Sequence, residues 1–167
     1  MIRFTYKFDE HGWATSHISD GANQLTMHPS RVTGSGIEDL AEKIVALLKA
    51  DREGLSTRLR CSWGDEPGEY RWVLANDAGD LTITILWFDT PWSHLADEKG
   101  EVLFSTKCSL LKFALQVKTE LRDAVDAMGE EEYKKRVRRD FPRGTYDELK
   151  NLVGAEQKRL KAGNRRQ

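Results

Sequence analysis

The sequence predicts an α+β protein, mainly antiparallel sheet in the order βββα-ββββ-ααα, with helices packed on one face. Three observations lead to this fold class. Apolar and polar residues alternate with a period of two in several short segments before residue 110. The connections between most of these segments are short, which indicates antiparallel pairing. From residue 110 onward, apolar residues instead recur at helical spacing, so that helices follow the strands in blocks.

The first segments predict three strands. In the first strand, polar residues at positions 3, 5 and 7 alternate with apolar residues. The polar residues are Arg3, Thr5 and Lys7, and the apolar residues are Ile2, Phe4, Tyr6 and Phe8. Residues 9–12 predict a turn, and residues 13–19 a second strand. Asp20-Gly21 is typical of a hairpin, after which residues 23–28 form a weaker third strand that ends before Pro29.

A helix is predicted next, over residues 37–50. Gly34-Ser35-Gly36 interrupts the strand pattern, and Ser35 with Glu38 matches a capping box. The apolar stripe that would face the core is Ile37, Leu40, Ala41, Ile44, Leu47 and Leu48.

The second strand block contains the most informative segment, residues 63–72, in which aromatic residues flank the acidic turn around Pro67-Gly68. If Trp63 lies opposite Tyr70, strand alternation places six residues on one face, which must be the core: Leu59, Cys61, Trp63, Tyr70, Trp72 and Leu74. Residues 77–80 then turn the chain into a central strand over 81–88. Residues 89–100, with Pro91 and Trp92, read as a long loop before a strand at 101–107.

The remainder is predicted to be helical. One helix runs from Leu110 to Gly129, and a short charged helix at 130–139 stops near Pro142. Thr145 and Glu148 match a second capping box at the start of the last helix. We expect a single α+β domain over residues 1–161 and a frayed basic tail over residues 162–167.

Composition indicates a globular protein of the cytoplasm. Apolar residues make up 39% and charged residues 32% of 167 residues, and no apolar run approaches the roughly 18 residues of a membrane span. The N-terminal segment lacks the apolar centre of a signal peptide. Cys61 and Cys108 are expected to be small buried residues and do not imply a disulfide framework. The sequence predicts no oligomeric state.

Charge is distributed unevenly. From Lys134 onward there are twelve Lys and Arg against four Asp and Glu, a local charge of +8, while residues 1–133 carry −9. This split is typical either of a solvated basic helix or of an acidic body with a basic appendage that binds something.

The outer face of the second strand block is predicted to be basic. Arg58, Arg60 and Arg71 would point away from the core, with no carboxylate among them. Such cations can simply protect a sheet from unwanted pairing, or they can bind an acidic partner. The acidic turn allows the same two interpretations. Asp65, Glu66 and Glu69 can be hydrated turn residues, or a recognition loop whose aromatic flanks extend to Trp87, Asp89 and Trp92.

Common catalytic and cofactor motifs are missing from the sequence. It has no Walker loop, GxGxxG, GxSxG or HExxH motif, and its four histidines and two cysteines lack metal-ligand spacing. We therefore predict no cofactor and no metal site. Nucleic-acid binding is disfavoured, because the strand aromatics are predicted to point inward and the body is acidic.

The pattern Trp63-x-x-Glu66-Pro67-Gly68-x-Tyr70-x-Trp72, with Gly12-Trp13 upstream and Leu86-Trp87-Phe88-Asp89 downstream, resembles an uncharacterised family of small bacterial proteins. The resemblance extends to about Pro142 and implies no activity. Size, α+β layout and the lack of a catalytic motif are also similar to immunity proteins of bacterial toxin systems.

The leading hypothesis is a non-catalytic module that binds a protein partner in an immunity-like or regulatory role. Its expected contact residues are Asp65, Glu66, Glu69, Arg58, Arg60 and Arg71. The alternative is an enzyme or small-molecule-binding protein with a pocket between sheet and helices, lined by Trp13, Trp72 and Trp87.

Overall fold

The structure is a computed structural model that describes residues 1–30, 36–91 and 93–164. In these described residues, two antiparallel sheets and three helices make up the fold, which confirms the predicted class and element order. The first sheet has the order β1-β2-β3: Arg3–Phe8, Ala14–Ser19 and Gln24–Met27. The second has the order β4-β5-β6-β7: Thr57–Asp65, Gly68–Asp77, Asp80–Phe88 and Glu101–Ser109. The helices are α1 (Ile37–Arg52), α2 (Leu110–Val137) and α3 (Arg143–Asn164).

The two sheets are joined by an isolated bridge rather than by continuous strand pairing. The backbone N–H of Ser30 donates to the carbonyl of Gly64 over 2.6 Å, and Ser30 also bridges to Trp13. The helices and the inner faces of both sheets enclose one apolar core. The fully buried side chains at its centre include Trp63, Trp72 and Phe113.

The predicted hairpin register is confirmed. Trp63 pairs with Tyr70 and Cys61 with Trp72, so the aromatic residues share the inner face and are buried. At the other end of β5, a two-residue turn leads into β6. Ala78 and Gly79 both have positive φ angles there (50° and 84°), as a tight hairpin turn requires.

Helix α2 covers the outer edge of β1 with side-chain hydrogen bonds. The Gln116 amide accepts from the Phe4 N–H over 2.5 Å and donates to the Ile2 carbonyl over 2.7 Å. Glu120 accepts from the Tyr6 N–H over 2.9 Å. The spacing of Gln116 and Glu120 along the helix is about 6.0 Å, and that of Phe4 and Tyr6 along the strand is about 6.6 Å. These two spacings match, so both side chains can reach the edge of β1. The edge is thereby closed to pairing with another chain.

One predicted helix feature needs correction. Helix α3 begins at Arg143, so Thr145 is not its N-cap, and Glu148 forms an ion pair with Lys49 instead of completing a capping box. The described part of this helix extends to Asn164, and the predicted fraying of residues 162–167 stays a prediction. Helix α2 is interrupted at Gly129 (φ 76°, ψ 163°), which accounts for the predicted break there.

The other predicted capping box paired Ser35 with Glu38, and Ser35 lies outside the described residues. Trp92, predicted to extend the aromatic flank of the acidic turn, lies outside them as well. Glu38, the other member of that capping box, is buried. One carboxylate oxygen accepts from the Gly36 N–H over 3.3 Å, and the other accepts from the Tyr133 hydroxyl.

Candidate functional site

The acidic turn does not present three free carboxylates. Asp65 accepts a hydrogen bond from the Tyr70 hydroxyl over 2.9 Å, and Glu69 is buried on the outer face beside Arg71. Burial raises the pKa of Tyr70, and the bond to Asp65 raises it further. Glu66 is the one exposed member of the predicted group. The expectation of a hydrated three-carboxylate cluster is therefore wrong, because strand alternation turns Glu69 onto the sheet.

Contrary to prediction, a carboxylate lies among the three arginines on the outer face of the second sheet, in addition to that of Glu69. It is Asp97, supplied by a short 3-10 turn, Asp97–Lys99, in the loop between β6 and β7. One oxygen of Asp97 accepts from Arg58 over 2.7 Å and from Arg60 over 2.9 Å, while the other accepts from Arg71 over 3.0 Å. Sequence reasoning missed Asp97, since nothing in the local pattern of residues 89–100 indicates that this loop folds back onto the sheet.

Arg71 is a buried structural residue, only 6% exposed. Besides its bond to Asp97, its guanidinium donates to the carbonyls of Leu95 (2.7 Å) and Ser93 (2.6 Å) and to the Glu69 carboxylate (3.2 Å). It also lies over the Phe88 ring, 4.0 Å from the centroid. Arg71 therefore holds the loop on the sheet, because each of its two terminal nitrogens donates to two acceptors of the protein itself.

Asp97 is charged because its interactions with the three arginines stabilise the carboxylate by more than burial destabilises it. Burial alone favours the neutral acid, but the hydrogen bond from Arg71 and the charges of Arg60 and Arg58 favour the carboxylate, so its pKa lies below the ordinary value. Asp97 thus stays ionised and holds the two outer arginines in place.

Arg58 and Arg60 retain exposed donors. Their side chains are 55% and 56% exposed, although both bind Asp97. Arg58 uses one terminal nitrogen in that contact, which leaves the rest of its guanidinium in solvent. Of the three predicted basic contact residues, these two remain available to a partner.

Beside this arginine pair, a shallow trough runs along the sheet. Strand register places Arg58, Ala75, Thr82 and Lys107 in one row across the four strands, and Arg60, Val73, Thr84 and Ser105 in the next. At about 4.8 Å per strand, the Cα atoms of Arg58 and Lys107 lie roughly 14 Å apart. Small side chains between them form the floor, and the trough has a volume of about 440 Å³. Asp77 and Asp80 lie at one end.

The predicted tryptophan pocket is not formed by its three proposed members. Trp72 is fully buried and packs on Trp63, with ring centroids 4.7 Å apart. Trp87 packs on Tyr70 and donates from Nε1 to Asp89 over 2.9 Å, whereas Trp13 is 38% exposed and immediately precedes β2. None of the three lines the trough.

Both cysteines are free thiols, and burial raises the pKa of each, that of Cys108 to about 11. Cys61 is buried, as predicted, and Cys108 is half-buried. Within residues 1–30, 36–91 and 93–164, no three His, Cys, Asp or Glu side chains are grouped closely enough to hold a metal ion. None of the helices in the described part of the chain combines the length and apolar character of a bilayer-spanning segment.

Comparison with protein-family models, with curated proteins and with solved structures finds no match to this chain. The resemblance to small bacterial proteins through the Trp63–Trp72 pattern therefore stays a prediction, and the site must be interpreted from its own chemistry.

Proposed function

We propose that this protein is a non-catalytic binding module that holds an acidic segment of a protein partner in the trough. The pair Arg58 and Arg60 is the observation that supports this most directly. Both side chains are fixed by a charged carboxylate beneath them while part of each guanidinium faces solvent. Fixing a side chain before binding reduces the entropy lost on association.

Charge selects the chemistry of the partner. The trough has a cation on each flank, Arg58 on one side and Lys107 on the other. Arg60 lies in the adjacent row on the side of Arg58, at the end away from Asp77 and Asp80. Arg presents paired donors that match the geometry of a carboxylate. The floor of the trough consists of small residues, chiefly Ala75 and Thr82. This leaves room for a peptide chain that runs parallel to the strands.

The biological role that we propose is immunity-like or regulatory, in the cytoplasm of a bacterium. Two free cysteines fit a reducing compartment. The bacterial source rests on the resemblance carried by residues 63–72. The toxin-neutralising role rests on the likeness to immunity proteins in size, α+β layout and lack of a catalytic motif.

The proposal is tested by photo-crosslinking in an extract of the source cells. A photoreactive residue replaces Thr82 on the floor of the trough, and a matched protein carries the same residue in place of Lys158 on the exposed side of α3. We expect a protein adduct from position 82 alone, attached through an acidic peptide of the partner. The double substitution R58Q/R60Q should remove this adduct, since it removes both guanidinium groups.

A charge-matched control, K158Q/K161Q, should leave the adduct unchanged. Equal adduct from both crosslinker positions, or adduct that survives R58Q/R60Q in a protein whose thermal unfolding is unchanged, would show that the trough is not the binding site.

A further inference from the structure

A second cleft lies between the β1–β2 turn and the C-terminal end of α2. Its volume is about 730 Å³, and it shares no lining residue with the trough. One wall is the turn, residues 9–12. The other wall is the basic segment, residues 135–139.

Both walls are fixed by the fold. The turn is closed by hydrogen bonds from the Asp9 N–H to the Trp13 carbonyl (2.9 Å) and from the Trp13 N–H to the Glu10 carbonyl (3.3 Å). Opposite, Val137 is buried in the core, and Arg138 ends the helix in the left-handed conformation (φ 56°). Because Val137 is anchored in the core, the backbone positions of its neighbours Arg136 and Arg138 are fixed as well.

The basic wall carries cations that form no close ion pair with the described residues, although the hydrogen bond from Arg136 and, to a lesser extent, the charge of Lys135 lower the pKa of Glu132. Lys134 pairs with Asp140 and Arg136 with Glu132. Lys135, Arg138 and Arg139 form no ion pair with any of the residues that the structure describes. The negative end of the helix dipole accounts for basic residues in the last turn. It does not account for Arg138 and Arg139, which follow the last helical residue.

The acidic wall is already partly satisfied. Asp9 accepts a hydrogen bond from the Thr15 hydroxyl over 2.5 Å, and a Glu10 carboxylate oxygen lies 3.8 Å from the His11 ring. Within the described residues, the three cations form no ion pair with Asp9 or Glu10. They leave a local excess of positive charge on a chain whose first 133 residues carry −9.

We propose that this cleft binds a compact ligand with several clustered phosphates, such as a nucleoside triphosphate or inorganic triphosphate. Guanidinium groups bind phosphate oxygens through paired hydrogen bonds. The volume lies in the range of small-molecule sites and exceeds what a single phosphate fills. An extended nucleic acid is disfavoured, because beyond the cleft it would run along an acidic body.

Isothermal titration calorimetry with tripolyphosphate and with ATP tests the proposal on the full chain. We expect saturable binding of one ligand per chain, weakened by about tenfold in R138N/R139Q, which removes two charge-assisted contacts. Asparagine suits the left-handed position at residue 138, so the variant should still fold. Equal affinity for both probes identifies the phosphates as the recognised group, whereas tighter ATP binding adds the nucleoside to it.

Two further variants separate a site from general attraction to a basic tail. K158Q/K161Q removes the same charge from the exposed side of α3 and should leave the affinity unchanged, while E10Q should raise it by removing a facing carboxylate. Equal weakening in both double variants, or no saturable binding of either probe, overturns the proposal. Tighter binding of a single-stranded oligonucleotide through Arg138 and Arg139 overturns the assignment to a compact ligand.

Discussion

Replacing Arg71 with methionine tests the view that a buried arginine holds the loop 89–100 on the sheet. Methionine fills much of the aliphatic volume but leaves Asp97 and Glu69 without their buried cation, and two carbonyls without their donor. Removing one partner of a buried ion pair costs about 3–5 kcal/mol. We therefore expect the free energy of unfolding to fall by about 4 kcal/mol in R71M.

The matched control is R58M, which removes a bond to the same carboxylate. The Arg58 side chain is 55% exposed, so its ion pair is screened by solvent, and we expect a loss of about 0–1 kcal/mol. Urea denaturation of both variants and the parent at pH 7 gives the comparison, provided that the slope with urea stays the same. Losses of equal size would refute the reasoning, because burial would then not be what distinguishes the two arginines.

The pH dependence gives a second reading of the same cluster. The pKa of Asp97 is lowered in the folded state, so its contribution to stability is present above the unfolded pKa and is lost as the pH falls through the folded pKa. In R71M the carboxylate of Asp97 loses the hydrogen bond that does most to stabilise its charged form. We expect the advantage of the parent over R71M to shrink as the pH is lowered below about 4, the ordinary pKa of Asp. An advantage that is constant down to pH 2 would contradict this account.

Two other predictions concern packing and burial. A Cβ on Gly68 would lie 2.3 Å from a backbone oxygen of β6, so G68A should lower the free energy of unfolding by about 1–3 kcal/mol. Gly154 lies in open space on α3, so G154A should raise the free energy of unfolding by about 1 kcal/mol. Urea titration measures both changes, and a G68A protein as stable as the parent would contradict the close approach. Burial raises the pKa of Glu120, so ionisation of its carboxyl group destabilises the fold as the pH rises. E120Q keeps a hydrogen-bond acceptor without the charge, and its free energy of unfolding should rise relative to that of the parent between pH 4 and pH 7. Parallel plots of the free energy of unfolding against pH for the two proteins would contradict this.

The candidate site was predictable only in part. Strand alternation correctly assigns Arg58, Arg60 and Arg71 to the face opposite Trp72, because side chains alternate whatever the sheet contacts. The same reasoning cannot rank the three arginines. Their difference arises from Asp97, which lies 26 residues beyond Arg71 and reaches it only through the path of the loop.

The sequence by itself determined the fold class, the element order and the register of the Trp63–Tyr70 hairpin. These depend on periodicity and turn chemistry, which act between neighbours along the chain. The tertiary structure alone decided that the strands form two sheets, that Glu69 and Arg71 are buried, and that unpaired cations face the β1–β2 turn. Each of these depends on which distant segments meet, and burial and charge pairing are properties of that meeting rather than of any local pattern.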